Sequence, residues 1–154
     1  MKSETALVTE TALITGSSSG VGFHLAKEFA RRRHGLVLVA PVASELEKIA
    51  SELKTAGALF VRTIAKDLEK PEAAQEIFDE LSSDRIYIDI LVNNAESGHR
   101  GKFCEIPIEH DISTLRLNAE AILRLDQLIE PIELAPYCTK PDGIGVECCA
   151  VIGM

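Results

Sequence analysis

Chemistry first becomes readable at Thr15-Gly16-Ser17-Ser18-Ser19-Gly20-Val21-Gly22. Three glycines, spaced four and two apart, enclose three hydroxyls. A loop of this kind brings backbone N–H groups against phosphate oxygens. Gly16 lets the chain turn sharply, and Gly20 lets backbone approach a pyrophosphate. Gly22 lets the next helix pack tightly, and Ser17, Ser18 and Ser19 add hydrogen-bonding hydroxyls. Val21 sits inside the same turn. The spacing is not Gly-x-Gly-x-x-Gly, and no Lys-Ser/Thr follows, so nucleotide hydrolysis is disfavoured. Taken alone, the loop reads equally well as an ordinary Gly/Ser turn.

Other polar residues hold candidate positions. Asp67-Leu68 and Asn93-Asn94-Ala95 each follow an apolar run. Asn118 stands between Leu115, Leu117, Ile122 and Leu123, where a buried amide would need partners. By residue type alone, Asp67 reads as a helix cap or a surface charge, the Asn pair as a turn, and Asn118 as locally bonded. Cys104, Cys138, Cys148 and Cys149 form no Cys-x-x-Cys pair and have no His at ligand spacing. Reduced, mostly buried thiols are expected, with no zinc site and no disulfides. The four histidines are scattered.

The elements that must position these residues alternate. Residues 11–15 read as a buried strand. Val21, Leu25 and Phe29 form a helical stripe with Ala26 and Ala30 beside it. Arg31, Arg32 and Arg33 suit that helix's negative end, and Gly35 is its expected stop. Residues 36–40 are a strand covered on both faces. Ser44 and Glu47 suggest a capping box for a helix over 44–56, stopped by Gly57. A strand over 59–65 follows. Pro71 opens a helix with Ala74, Ile77, Phe78 and Leu81 on one face. A strand over 88–92, a long helix over 109–129 and a fifth strand over 144–151 complete the pattern. Alternation of this kind predicts an α/β fold with a doubly wound, parallel sheet, and ligands beyond the carboxyl ends of its strands.

The 154 residues suit one domain, and 46% apolar with 26% charged residues is a globular balance. A net charge of −8 argues against a nucleic-acid partner. No apolar run reaches the ~18 residues of a membrane span. Met1-Lys2-Ser3-Glu4 lacks an apolar leader, so a cytoplasmic protein is expected.

Thr-Gly-x-x-x-Gly-x-Gly at the first strand–helix turn resembles the short-chain dehydrogenase/reductase family. Asp67-Leu68, Asn94-Ala95 and Asn118 then fall in the family's order. The resemblance runs from about Thr11 to Leu128. It implies a Rossmann-like sheet in order 3-2-1-4-5 and NAD or NADP as cofactor. Hydride would pass between nicotinamide and a small-molecule alcohol or carbonyl. Asp67 would lie by the adenine ring, and Asn94 and Ala95 against the ribose. Asn118 would kink its helix and hold a water for proton relay. The apolar helix around Asn118 (Leu115/Ile122/Ile129 and Leu117/Ala121/Leu128) resembles the family's homo-oligomer interface.

The sequence also departs from the family. Glu96 replaces the Gly after Asn-Asn-Ala and adds bulk and negative charge. Ala40 stands where an NAD site wants an acid, and Pro41 where an NADP site has Arg; the missing acid leans to NADP, with Arg32 or Arg33 as candidate 2′-phosphate ligands. Residues 143–149 resemble strand 5, with Cys148 or Cys149 at the catalytic Ser position; we place Cys149 there. No Tyr-x-x-x-Lys follows before Met154. The expectation is an oxidoreductase truncated before its catalytic Tyr and Lys and its last strands. The alternatives are a non-catalytic dinucleotide-binding module and a decayed family member. A methyltransferase would want the acid that Ala40 replaces.

Overall fold

The computed structural model describes residues 10–129 and 152–153. β1 (Thr11–Thr15), β2 (Gly35–Ala40), β3 (Phe60–Ala65), β4 (Ile90–Asn93) and β5 (Ile152–Gly153) form one sheet in order β3-β2-β1-β4-β5. Every pairing is parallel. α1 (Gly20–Arg31), α2 (Ala43–Ala56) and α3 (Ala73–Asp84) fill the first crossovers. After β4 come a 3-10 turn (Phe103–Glu105), α4 (Ile108–Leu115), a π-helical turn (Arg116–Glu120) and α5 (Ala121–Ile129). The sheet order expected from the family resemblance is present.

Side chains alternate across a strand, and the core divides accordingly. Ala12 and Ile14 of β1, with Leu36, Leu38 and Ala40 of β2, pack on the α1–α2 layer. Leu13, Val37 and Val39 pack on the opposite layer with Ile77 and Leu81 of α3 and Leu125 of α5. β1 and β2 are buried throughout. That explains their unbroken apolar sequences. Among the described residues, no helix is long and apolar enough to cross a membrane.

Several local expectations are corrected. α1 buries Gly22, Ala26 and Ala30, while Val21 is 53% exposed. The contact ridge is the small-residue row one position on from the predicted stripe. Leu25 and Phe29 flank it, partly buried. Gly35 does not stop α1: Arg32 caps that helix, Arg33 takes the left-handed turn at φ 66°, and Gly35 opens β2. A Cβ on Gly35 would lie 2.3 Å from Cε1 of Phe60, so the glycine is required by packing. Gly35→Ala is therefore expected to cost about 1–3 kcal/mol by overpacking. Adding Phe60→Leu should recover most of the loss in a urea melt; no recovery would place the defect elsewhere.

Ser44 is not a cap. α2 begins at Ala43 after an extended Val42, which makes no side-chain cap bond, and Gly57 ends it. Pro71 lies in the turn before α3, where the Ala73 N–H reaches the Lys70 carbonyl at 3.1 Å. The third and fourth strands start one and two residues later than the pattern predicts. The long helix over 109–129 is three pieces, because the π turn adds a residue to the ladder at Asn118. Its buried face is Ala121, Leu125 and Ile129, with Leu117 and Leu128 beside them. Leu115 and Leu123 face out at 65% and 64% exposure. The predicted Leu117/Ala121/Leu128 side is thus the core side. Leu115, of the other predicted side, is exposed, whereas Ile129 is buried. Cys104 is exposed, contrary to the expectation of buried thiols. The fifth-strand assignment over 144–151 lies outside the described residues, as do Cys138, Cys148 and Cys149.

Candidate cofactor site

The carboxyl ends of β1, β2, β3 and β4 open on a cleft of about 470 Å³. That volume is ordinary for a small-molecule or cofactor site. Five segments wall it: the loop after β1, Val39 to Pro41 at the end of β2, residues 66–69 after β3, residues 94–97 after β4, and Leu117 of the π turn.

Gly16 leaves β1 with φ +62°. An L side chain is strained there. A Cβ would also stand 2.8 Å from the Ala95 Cα. Gly22 is close-packed too, since its Cβ would lie 2.4 Å from Nδ2 of Asn94 and 2.5 Å from the Gly16 carbonyl oxygen. Gly20 is different: a Cβ there meets nothing within 4 Å, so its backbone borders open space. Ser18, Ser19, Gly20 and Val21 line the cleft. Ser19 is extended and makes no side-chain cap bond. The start of α1 therefore borders the cleft without a side-chain cap bond from Ser19, an arrangement suited to anion binding at a helix start.

Ser17 is turned away. It is fully buried, and its N–H and hydroxyl point to the Val39 carbonyl at 3.4 and 3.5 Å. It ties the loop to β2 rather than to a ligand. The hydroxyls facing the cleft are those of Ser18 and Ser19.

The threonine that opens the glycine motif, given no role of its own in the sequence analysis, organises the opposite wall. The Thr15 side chain is 1% exposed, and its Oγ1 accepts the Asn94 and Ala95 N–H groups, each at 2.9 Å. Nδ2 of Asn94 donates to the Thr15 and Gly16 carbonyls at 2.9 and 3.2 Å. Asn94 is thus a staple between β4 and the loop while also lining the cleft. The signal available was a threonine at the carboxyl end of a buried strand. Asn93 is directed elsewhere, donating to Oδ1 of Asp126 at 2.8 Å.

Asn118 does not line the cleft. It is exposed, and it is hydrogen-bonded to Ser97, which does. Its Oδ1 accepts the Ser97 N–H at 3.1 Å, and its Nδ2 donates to the Ser97 carbonyl at 2.9 Å. Both functions of the amide are used by a backbone 21 residues away, so the bonding is not local. Asn118 lies within the π turn Arg116–Glu120.

Asp67 is exposed at the rim, where Oδ1 accepts the Glu69 N–H at 3.0 Å. Leu68 is buried beneath it at the floor. Glu69 and Glu96 add carboxylates to the wall, and Glu69 accepts the Ser113 hydroxyl at 2.6 Å. Lys66 is the lining cation among the described residues. Its hydrogen bond to Glu76 holds the ammonium above the ordinary lysine pKa, against a smaller desolvation effect; the charges of Glu76 and Glu80 add to the rise. Arg32 and Arg33 are excluded as ligands of this cleft. They follow the far end of α1, roughly 18 Å along the helix axis from Gly20, and lie beside the amino end of β2. Cys149 lies outside the described residues.

Comparison with known proteins agrees with this geometry. A short chain dehydrogenase family model matches residues 10–134. An 11-beta-hydroxysteroid dehydrogenase of Pinus massoniana is 41% identical over 96 residues, which is 62% of this chain and 27% of the relative. A short-chain dehydrogenase of Sphingobium yanoikuyae, solved with NADPH, is 36% identical with a TM-score of 0.73; the match covers 80% of this chain and 48% of that one. L-Sorbose reductase of Gluconobacter frateurii, solved with NADPH and L-sorbose, is 33% identical with a TM-score of 0.75, covering 80% and 47%. The chain thus spans between about a quarter and a half of the length of these relatives. A family match across most of the sequence, a sheet in the order 3-2-1-4-5 and a glycine loop at its central strand leave one assignment: the chain belongs to the short-chain dehydrogenase family.

Proposed function

We propose that this chain is the cofactor-binding domain of an NAD(P)-dependent oxidoreductase that moves hydride between nicotinamide and an alcohol or carbonyl, with NADP(H) preferred. The observation that carries the reading is the uncapped start of α1, facing a cleft whose other walls are Ala40, Asp67-Leu68 and Asn94-Ala95. Phosphates would lie against Ser18, Ser19 and the N–H groups from Gly20 onward. Ala40 and Pro41 leave the end of β2 without the carboxylate that would hold a ribose 2′-OH and repel a 2′-phosphate. The NADPH complexes of two relatives support the same preference.

The cofactor supplies the hydride chemistry when bound. The chain's own residues bind and orient it. Among the described residues no tyrosine lines the cleft, and Tyr87 lies at the amino end of β4. The described residues therefore provide the cofactor side of the reaction. Asn118, by fixing Ser97, sets the wall after β4. Calorimetry tests the reading: NADPH is expected to bind more tightly than NADH. No heat with either at millimolar concentration would overturn it.

Self-association through the helix around Asn118 belongs to the same proposal. Ile108, Ile112, Leu115 and Leu123 are exposed along it. Light scattering at increasing concentration should show a mass above the monomer, and a constant monomer mass would remove this part. A cytoplasmic location is likewise proposed; recovery of the protein in the membrane fraction would refute it.

A further inference from the structure

We propose that Lys66 reads the cofactor's 2′-phosphate, a reading that rests on the cofactor site proposed above. In sites of this architecture the group at the end of the second strand decides between a ribose hydroxyl and a phosphate. Here that strand ends in Ala40 and Pro41, neither of which can hold an anion with its side chain. The cation that lines the cleft among the described residues directly follows the neighbouring strand. Ala40 and Ala65 are register partners in the β2–β3 ladder. The next residue, Lys66, donates its backbone N–H to the Ala40 carbonyl at 3.1 Å. Its backbone is thereby fixed beside the end of β2, and the residue lines the same cleft as Ala40 and Pro41, with its ammonium held at the α3 side by Glu76 and Glu80.

The charge is present and constrained. Nζ lies 2.6 Å from Glu76 and 3.4 Å from Glu80 on α3. An ammonium has three donors. Glu76 takes one at close range and Glu80 a second at longer range, so a third remains for a ligand. The carboxylates also restrict where the long side chain can go, which lowers the ordering cost of a new contact. Exposed ion pairs of this kind contribute little by themselves. A phosphate can therefore share or displace the Glu80 contact at small cost, and the bond gained is charge-assisted. Glu76 and Glu80 play the opposite part for the ligand, because their charges oppose a second anion beside them. The same trio therefore sets how strongly the cleft prefers the phosphorylated cofactor.

The probes are adenosine 2′,5′-bisphosphate and ADP, titrated calorimetrically into the wild-type chain, Lys66→Gln and Glu80→Gln. Thermal melts confirm that each variant is folded. The wild type should prefer the bisphosphate. Lys66→Gln should weaken the bisphosphate about tenfold, a typical loss for one charge-assisted contact, with ADP changed by far less. Glu80→Gln should tighten the bisphosphate alone. Equal weakening of both probes by Lys66→Gln would make Lys66 a structural residue and overturn the inference. An unchanged bisphosphate affinity in Lys66→Gln would overturn it as well, while leaving the cofactor site intact. Failure of the wild type to bind either probe would instead overturn the cofactor site itself.

Discussion

Gly16→Val is expected to lower the melting temperature by about 10 °C and to abolish measurable NADPH binding. Two separate penalties act at this position. Its φ of +62° lies where a β-branched side chain is a genuine outlier, at a cost of about 1–2 kcal/mol. The new Cβ would also stand 2.8 Å from the Ala95 Cα and 3.0 Å from the Ala95 nitrogen. Both are backbone atoms of the β4 end, held by Thr15, and cannot swing aside as a side-chain tip would. Overpacking of this kind costs about 1–3 kcal/mol more. A total near 3 kcal/mol corresponds to about 10 °C for a chain of this size. The binding loss has the same source, because relief of the clash must move the loop that presents the start of α1. Circular-dichroism melts and calorimetry on one preparation measure both effects. Unchanged NADPH affinity in a folded variant would sink the assignment of this loop to the cofactor.

Thr15→Val is expected to be nearly as costly to stability, about 2–4 kcal/mol, although it changes neither shape nor volume. The hydroxyl is 1% exposed and accepts two N–H groups, from Asn94 and Ala95. Replacing it with a methyl strands both donors, and each buried unsatisfied group costs about 1–3 kcal/mol. Thr15→Ser restores the acceptor and should return most of the loss, despite removing a methyl from the core. Urea unfolding of the three proteins distinguishes the mechanisms. If serine proves worse than valine, packing governs this position, and the hydrogen bonds are secondary.

The sheet was legible because β1 and β2 are buried on both faces, so their residues form unbroken apolar runs between glycine turns. The loop after β1 was legible because glycine spacing is local. Which serine faces the cleft was not: Ser17 and Ser18 are alike in type, and the choice depends on the Val39 carbonyl of a neighbouring strand. Lys66 was missed for the same reason. Its meaning comes from its pairing with Ala40 across the β2–β3 ladder, a contact between residues 26 positions apart in the chain. The break in the long helix escaped the periodic pattern because a π turn adds one residue without changing composition. Asn118 was marked by the family resemblance, yet its bonding to Ser97 follows from tertiary placement alone.

The Thr15–Ala95 bond spans 80 residues of sequence. During synthesis at roughly 5–20 residues per second, β1 therefore waits about 4–16 s before its outer neighbour is made. Throughout that interval β1, later the middle of the sheet, has a bare edge on the side away from β2. An unpaired apolar edge is a template for pairing with other chains. The nascent polypeptide is thus most exposed to misassembly before Asn94 emerges. A chaperone that shields β1 during this window would protect the later cofactor cleft without ever touching it.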